Sequence, residues 1–572
     1  VQLNCSSRIS VLKGKLIFCS IFLISLLGKS QTLPVGTSFY EDRLRRLDLS
    51  GQTDNDISFL VRPIDFKEIK TNSPDSLQYQ PYLRENFVGK SEILLLPMQV
   101  SYRFNPDNLT TYGDRLMVPA AGHQGYLTLG FFARLGQVSL QVSPEVVFAE
   151  NKPFPGFSQN LSPEVTYARF IYWNNGDNPE RFGISTYSKI WWGQSKLSWS
   201  GRSLEFYIGT QNISWGPGQF NSLIFSANAS GFPHVSFNTV NPLKTFLGSF
   251  EGQVIVGRLE NSFFDPSQHD ALNQTYFLPF ESDWRYLNGF TINYQPKWLK
   301  GIYVGLNRTF QVNNNLLGNS FKDYFPIFEI FQKENFFENG NSLVYDSKGT
   351  DQQVSVFARI VSKKAKAEVY FEFGRRDHSF NWREFILNPE HARAYILGFQ
   401  KLVSLARPNN YLQFRGEIVH QQESVNRYIR YLGLGGNLTW HTHGTSRGFT
   451  NFGQGLGVGI GTGSNSQLLE VSKANNESKI GIRFSRLENN QDFFYRAFGQ
   501  MQNANPWVDF GIGLIYEKQW SRLTLSSKID GVGSNNFQWE SYQNPPPSIK
   551  GSPWTHRFMG QINLIYSLKS HR

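Results

Sequence analysis

A two-residue hydrophobic period, repeated in runs long enough to cross a membrane as strands, restricts this chain more than any other feature. In Gly125–Gly136, Leu127, Leu129, Phe131 and Ala133 share one face, while Tyr126, Thr128, Gly130 and Arg134 share the other. After a tight turn at Leu135 and Gly136, Val138, Leu140 and Val142 alternate with Gln137, Ser139, Gln141 and Ser143. Period two puts alternate residues on opposite sides of a strand, so this is a hairpin with an apolar and a polar face. The pattern returns in Val354–Val361 and Ala367–Phe373, joined across Ser362, Lys363 and Lys364, with Glu368, Tyr370 and Glu372 on the wet face. In Leu412–Ile418 the wet face carries Gln413, Arg415 and Glu417. Further copies are Ile480–Ser485, Leu523–Ile529 and Phe558–Leu568. Roughly 16 to 20 strands can be drawn this way.

A soluble sandwich alternates too, so the solvent on each face has to be decided. In a membrane barrel the outward face meets lipid and the lumen carries the charges. Aromatics make up 15% of the 572 residues and charged residues 18%, yet mean hydropathy is only −0.37. Apolar residues are therefore dispersed among polar ones, unlike helical spans, which need about 20 in a row. So many strands would also expose edges that only closure removes. The sequence predicts an all-β fold, a transmembrane antiparallel barrel over residues 91–572, with no break into separate domains.

The start of the chain reads as an export signal over residues 1–30. Lys13 and Lys15 precede an apolar run from Leu16 to Leu27, followed by Gly28, Lys29 and Ser30; the alternative is an N-terminal anchor. Cys5 and Cys19, the only cysteines, would leave with that signal, which excludes disulfides and Cys-zinc sites from the mature chain. Residues 31–90 are less strand-like and read as an N-terminal periplasmic segment. Ser38 and Glu41 have capping-box spacing, and Tyr40, Leu44 and Leu47 could share a helix face before Gly51. At the other end Tyr566 serves as the closing aromatic, ahead of a short tail. A net charge of +11 suits anionic envelope partners such as lipopolysaccharide or acidic glycans, or else simply solvates loops and rim.

Four constellations could carry chemistry. Glycines recur every second residue from Gly453 to Gly463; no helix follows to receive phosphate, so the run reads as a strand with Leu456, Val458 and Ile460 toward lipid and glycines toward the lumen. His441 and His443 lack a third metal ligand and read as loop. His234, Ser236 and Asn238 would share a strand face, so an imidazole could activate a hydroxyl. Outer-membrane phospholipases use a similar His-x-Ser arrangement, which leaves lipid hydrolysis as an alternative. Trp191, Trp192 and Trp199, with Arg202 beside them and Trp215 further on, suit stacking on pyranose rings; the competing reading is an interfacial aromatic girdle. No cofactor or metal is implied.

The most distinctive stretch runs from about Gly183 to Glu260. It holds Trp215, Gly216, Pro217 and Gly218, then Ser222 to Phe225, Asn228 and Ala229, and Phe232, Pro233 and His234. Two glycines bracketing a proline make a tight turn that fixes the angle of Trp215, as a constrained lumen loop would require. This stretch resembles the Wzi-type capsule-assembly family of outer-membrane proteins in its Bacteroidetes form. The resemblance implies a barrel of about 18 strands with a small periplasmic helical region and an occluded lumen. It also implies a non-catalytic, lectin-like protein that holds capsular polysaccharide at the cell surface. The chain is read as a monomer whose partners are capsular or other surface polysaccharide and outer-membrane lipid or lipopolysaccharide, not nucleic acid. Gliding-associated barrels look similar, and a passive pore is a third reading.

Overall fold

The computed structural model of the chain describes residues 32–53, 57–65, 91–107, 112–325, 349–376, 386, 392–423, 439–499, 501–543 and 554–567. The expected export signal, the whole of the 66–90 stretch and the last residues of the tail lie outside these.

Among the described residues, eighteen antiparallel strands close into one barrel. The first four are each interrupted by a short break yet pair as continuous strands. They are β1 (Ser91–Leu95 with Met98–Asn105), β2 (Gly122–Thr128 with Phe131–Leu135), β3 (Val138–Val142 with Glu145–Ala149) and β4 (Tyr187–Trp191 with Lys196–Ser200). Then follow β5 (Leu204–Gly209), β6 (His234–Thr239), β7 (Gly248–Glu260), β8 (Trp284–Pro296), β9 (Ile302–Asn313), β10 (Asp351–Ser362) and β11 (Ala367–Arg376). The wall is completed by β12 (Arg393–Ser404), β13 (Tyr411–His420), β14 (Asn465–Ala474), β15 (Ser478–Glu488), β16 (Val508–Gln519), β17 (Leu523–Asn535) and β18 (Trp554–Tyr566). Every strand pairs with its sequence neighbours, and β18 closes on β1 with Tyr566 opposite Met98. Closure of this kind leaves no unpaired edge.

Faces divide as the sequence period requires. Leu127, Phe131, Val138, Leu140, Val356, Ile360, Val369, Phe371, Ile480, Ile482 and Ile529 point outward and are exposed. The inward set of the same strands is buried and polar: Gln124, Ser139, Gln141, Arg359, Glu368, Glu372, Gln413 and Glu417. A wall of this polarity has lipid outside and a filled interior.

The two ends differ. At one, strands are joined by short turns, such as 135–138, 362–367 and 519–523; at the other, by long segments such as 149–187, 209–234 and 420–465. The lumen is filled from both ends. From the short-turn end comes helix α1 (Ser38–Leu49), whose residues from Phe39 to Leu49 are all buried except Glu41. Tyr40, Leu44 and Leu47 do share a core cluster, closed by Ile565 of β18. No capping box forms: Thr37 precedes the first turn without a side-chain cap, and Glu41 instead meets Arg62 at 3.4 Å. At the long-loop end α2 (Pro163–Asn174) packs on α3 (Gln491–Phe498) through Trp173, Phe170, Phe493 and Phe494, with Phe157 and Trp539 beneath.

Candidate functional site

The interior is closed by two loops that fold into it from the long-loop end, residues 210–233 and 439–464. They bury one apolar cluster comprising Trp215, Phe225, Phe232, Trp440, Phe449, Leu456 and Val458, against Ile255, Leu287 and Ile396 of the wall. The two loops dock directly on each other. Ser226 N donates to Leu456 O (2.7 Å), and Asn228 Nδ2 to Gly455 O (2.7 Å). This corrects the strand expected over Gly453–Gly463: Leu456 and Val458 point into the plug, not to lipid. The glycines are needed because a Cβ on Gly457 would stand 2.1 Å from Leu223 O. Alternating glycine and aliphatic residues give the same pattern whether the neighbour is lipid or a second loop, which is why the period misled.

The Trp215–Gly218 turn is clamped by carboxylates from the wall. Glu417 of β13 accepts from the amides of Gln219 (3.0 Å) and Phe220 (3.2 Å), from Asn221 Nδ2 (2.9 Å) and from Tyr370 OH (2.7 Å). Glu372 of β11 accepts from Leu223 N (3.3 Å) and Ser355 Oγ (2.7 Å). From the N-terminal segment, Arg45 reaches Pro217 O at 3.0 Å and Arg62 reaches Gly216 O at 3.1 Å. Gly216 has φ +95°, a left-handed conformation closed to most side chains. Asn228 Oδ1 accepts from Gly113 N at 2.8 Å, and Pro233 O from Arg258 N at 2.9 Å. The second loop hangs on wall arginines. Arg376 donates to Trp440 O (3.0 Å) and Arg447 O (2.9 Å), and Arg285 to Gly448 O and to Thr450 O (2.9 Å).

His234 and Ser236 sit in this framework but not as a dyad. His234 Nε2 pairs with Tyr207 OH (2.8 Å) and Nδ1 with Phe232 O (2.7 Å). Ser236 Oγ donates to Asn238 Oδ1 (3.2 Å) and accepts from Gln253 Nε2 (3.0 Å). Gln253 also accepts from Trp215 Nε1 at 2.7 Å, so the chain of bonds runs from wall to plug. Both histidine nitrogens are occupied, and neither meets the serine that a base would have to activate.

The tryptophans named from sequence are scattered. Trp215 is fully buried and edge-on to Phe225. Trp191 faces the lumen, donating to Gly231 O at 2.8 Å and lying edge-on to Phe452. Trp192 sits at the β4 break, 64% exposed on the outer side. Trp199 follows outward-facing Leu197 by two residues near the short-turn end, the place of an interfacial girdle, and Arg202 lies in the exposed turn after it. At the long-loop end lies a group the sequence did not single out. Phe263, 59% exposed, is edge-on to Phe280 (5.7 Å), and Arg447 stands 4.4 Å from the Phe280 centroid. Nothing in a linear pattern links residues so far apart. His441 and His443 are buried in the second loop, where His443 Nδ1 accepts from the amides of Thr445 and Ser446.

Among the described residues, cavities of about 280 and 340 Å³ lie beside the plug. Both touch Asp114, Phe220, Asn221, Arg483 and Lys528.

The model of the capsule assembly protein Wzi family matches residues 107–523. The chain belongs to that family. It is similar to a solved Escherichia coli structure described as Wzi, an outer-membrane protein involved in group 1 capsule assembly and a carbohydrate-binding β-barrel. Identity there is 11%, TM-score 0.57, with 94% of this chain and 99% of that one covered. Weaker matches are OccAB2 of Acinetobacter baumannii (12% identity, TM-score 0.39, covering 84% and 99%) and OccK3 of Pseudomonas aeruginosa (9%, 0.38, covering 83% and 95%). No curated protein sequence matches it. This Wzi-family chain is a bacterial outer-membrane barrel. In such barrels short turns lie in the periplasm and long loops outside, so α1 stoppers the periplasmic mouth while α2 and α3 roof the outer one.

Proposed function

We propose that this barrel retains or organises capsular polysaccharide at the cell surface by binding it, without catalysis. The observation that carries this reading is the filled lumen. Wall carboxylates and arginines are spent on the barrel's own loops, so the outer loops are what remains to meet an extracellular polymer. The carbohydrate binding described for the Escherichia coli relative agrees with it. Lipid hydrolysis finds no support, because His234 and Ser236 are bonded to other groups.

The sugar contacts belong on the outer loops, with Phe263 and Phe280 as apolar faces and Arg447 as the cation. Trp191 and Trp215 brace the plug, and Trp192, Trp199 and Arg202 belong to the lipid side or the periplasmic turn. An acidic glycan would bind less tightly as salt rises, since exposed charges are screened beyond about 10 Å at 0.1 M. The test is calorimetric titration of the detergent-solubilised barrel with purified capsular polysaccharide. Binding weakened several-fold by Phe263→Ala, and unchanged by Ser236→Ala, supports the reading; binding indifferent to Phe263→Ala removes this patch from it.

A further inference from the structure

The outer wall carries a feature that a smooth lipid-facing surface does not need: a cleft of about 1240 Å³ across β11–β18. Strand register resolves it into rows. The lower row is apolar, with Phe399, Gly416, Leu469, Phe484, Ile512 and Gly531 side by side on successive strands. The ring of Phe399 covers Gly416, but around Gly531 the nearest atom to an added Cβ is 3.9 Å away. That open position dents the floor beside exposed Ile512 and Phe558.

The next row, two residues nearer the outer end, begins apolar with Ile418 and then changes. Gln467 and Arg486 stand opposite each other, followed by Phe510, Gly533 and the exposed His556. Arg486 donates to Gln467 Oε1 (3.1 Å) and pairs with Glu488 at 2.6 Å, yet 38% of its side chain stays exposed. A guanidinium set into an apolar row is costly unless it sits at headgroup depth. One row higher, His420 stacks on Tyr395 and meets Arg393 NH1 at 2.9 Å. The cleft thus has an apolar floor, a cationic upper edge and Glu488 as the acidic neighbour of Arg486.

We propose that this cleft holds a phosphorylated, multiply acylated lipid of the outer leaflet, its acyl chains over Ile512 and Gly531 and its phosphate against Arg486 beside His556. Arginine suits this role because its fork matches phosphate oxygens, and the phosphate competes with Glu488 for it. Acyl chains alone could lie on any apolar wall; the cation above a dented floor selects an anionic head.

The experiment is native mass spectrometry of the whole barrel in a neutral detergent, incubated with lipid A bearing its phosphates or with the dephosphorylated form. A phosphate-dependent adduct is expected, reduced at least fivefold by Arg486→Gln and by Gly531→Leu and reduced less by Arg486→Lys, which keeps the charge but loses the fork. Heat-modifiable gel mobility checks that each variant is closed. Equal adducts from both lipid forms, or adducts indifferent to Arg486→Gln and Gly531→Leu, would overturn the proposal. Displacement by inorganic phosphate alone would overturn it too, by showing a phosphate site without a lipid.

Discussion

Single residues in the plug do work that their sequence neighbourhoods only half disclose. Trp215 fills the centre of the buried cluster and donates to Gln253. Trp215→Ala should cost about 3–5 kcal/mol through the cavity it leaves, read as a lower urea midpoint; Trp215→Phe should lose less, chiefly the bond to Gln253. His441 gives a pH signature. Burial, reinforced by Arg376, pushes its imidazole down to about 3, and its Nε2 lacks a partner among the described residues. The unfolded loop takes up a proton near pH 6.5 that the folded loop refuses until about 3, so stability falls as pH drops across that window, by up to about 1.4 kcal/mol per unit. Trp440 emission should shift on acidification from pH 7 to 4, and His441→Asn should flatten the response. An identical shift in the variant would assign it to other groups.

At the scale of elements, membrane strands were readable because two solvents act on opposite faces of one strand. Hairpins such as β2–β3 and β10–β11 follow the predicted faces residue by residue. Where both solvents are replaced by protein, the pattern loses meaning. The run from Gly453 looks like a strand yet is loop packed on loop, and α1, legible as a helix, buries its charged side as well as its apolar one. Asp42 explains how α1 tolerates this. It meets Lys479 Nζ at 2.9 Å, Arg415 at 3.4 Å, Gln413 at 2.7 Å and Arg46 one turn on. Against the cost of burial, these cations hold its carboxyl well below the usual range. Asp42→Ala should leave Arg415 and Lys479 short of a partner and cost about 3–5 kcal/mol. Because α1 stoppers the mouth, planar-bilayer current should be small for the parent barrel and larger, with openings, for the variant. Equal currents would mean the loops alone seal the lumen.

Over the whole molecule, the architecture was legible in the sequence, whereas the proposed outer patch was not. The turn chemistry around Trp215–Gly218 marked a lumen loop, because glycine, proline and asparagine constrain backbone locally. Tryptophans clustered in sequence suggested one sugar platform, but β4 alternates faces and breaks at Trp192, sending Trp191 inward and Trp199 outward. The outer aromatic group with Arg447 is assembled from two separate loops, 261–283 and 439–464, and has no linear signature. A barrel stoppered at both ends and roofed by its own helices is built to present a surface, not to pass solutes. The direct test of that claim is a clean deletion of the gene in its host, with cell-attached and released polysaccharide quantified separately. Total polysaccharide should stay unchanged and shift from cells to medium. No change in either pool would contradict the claim.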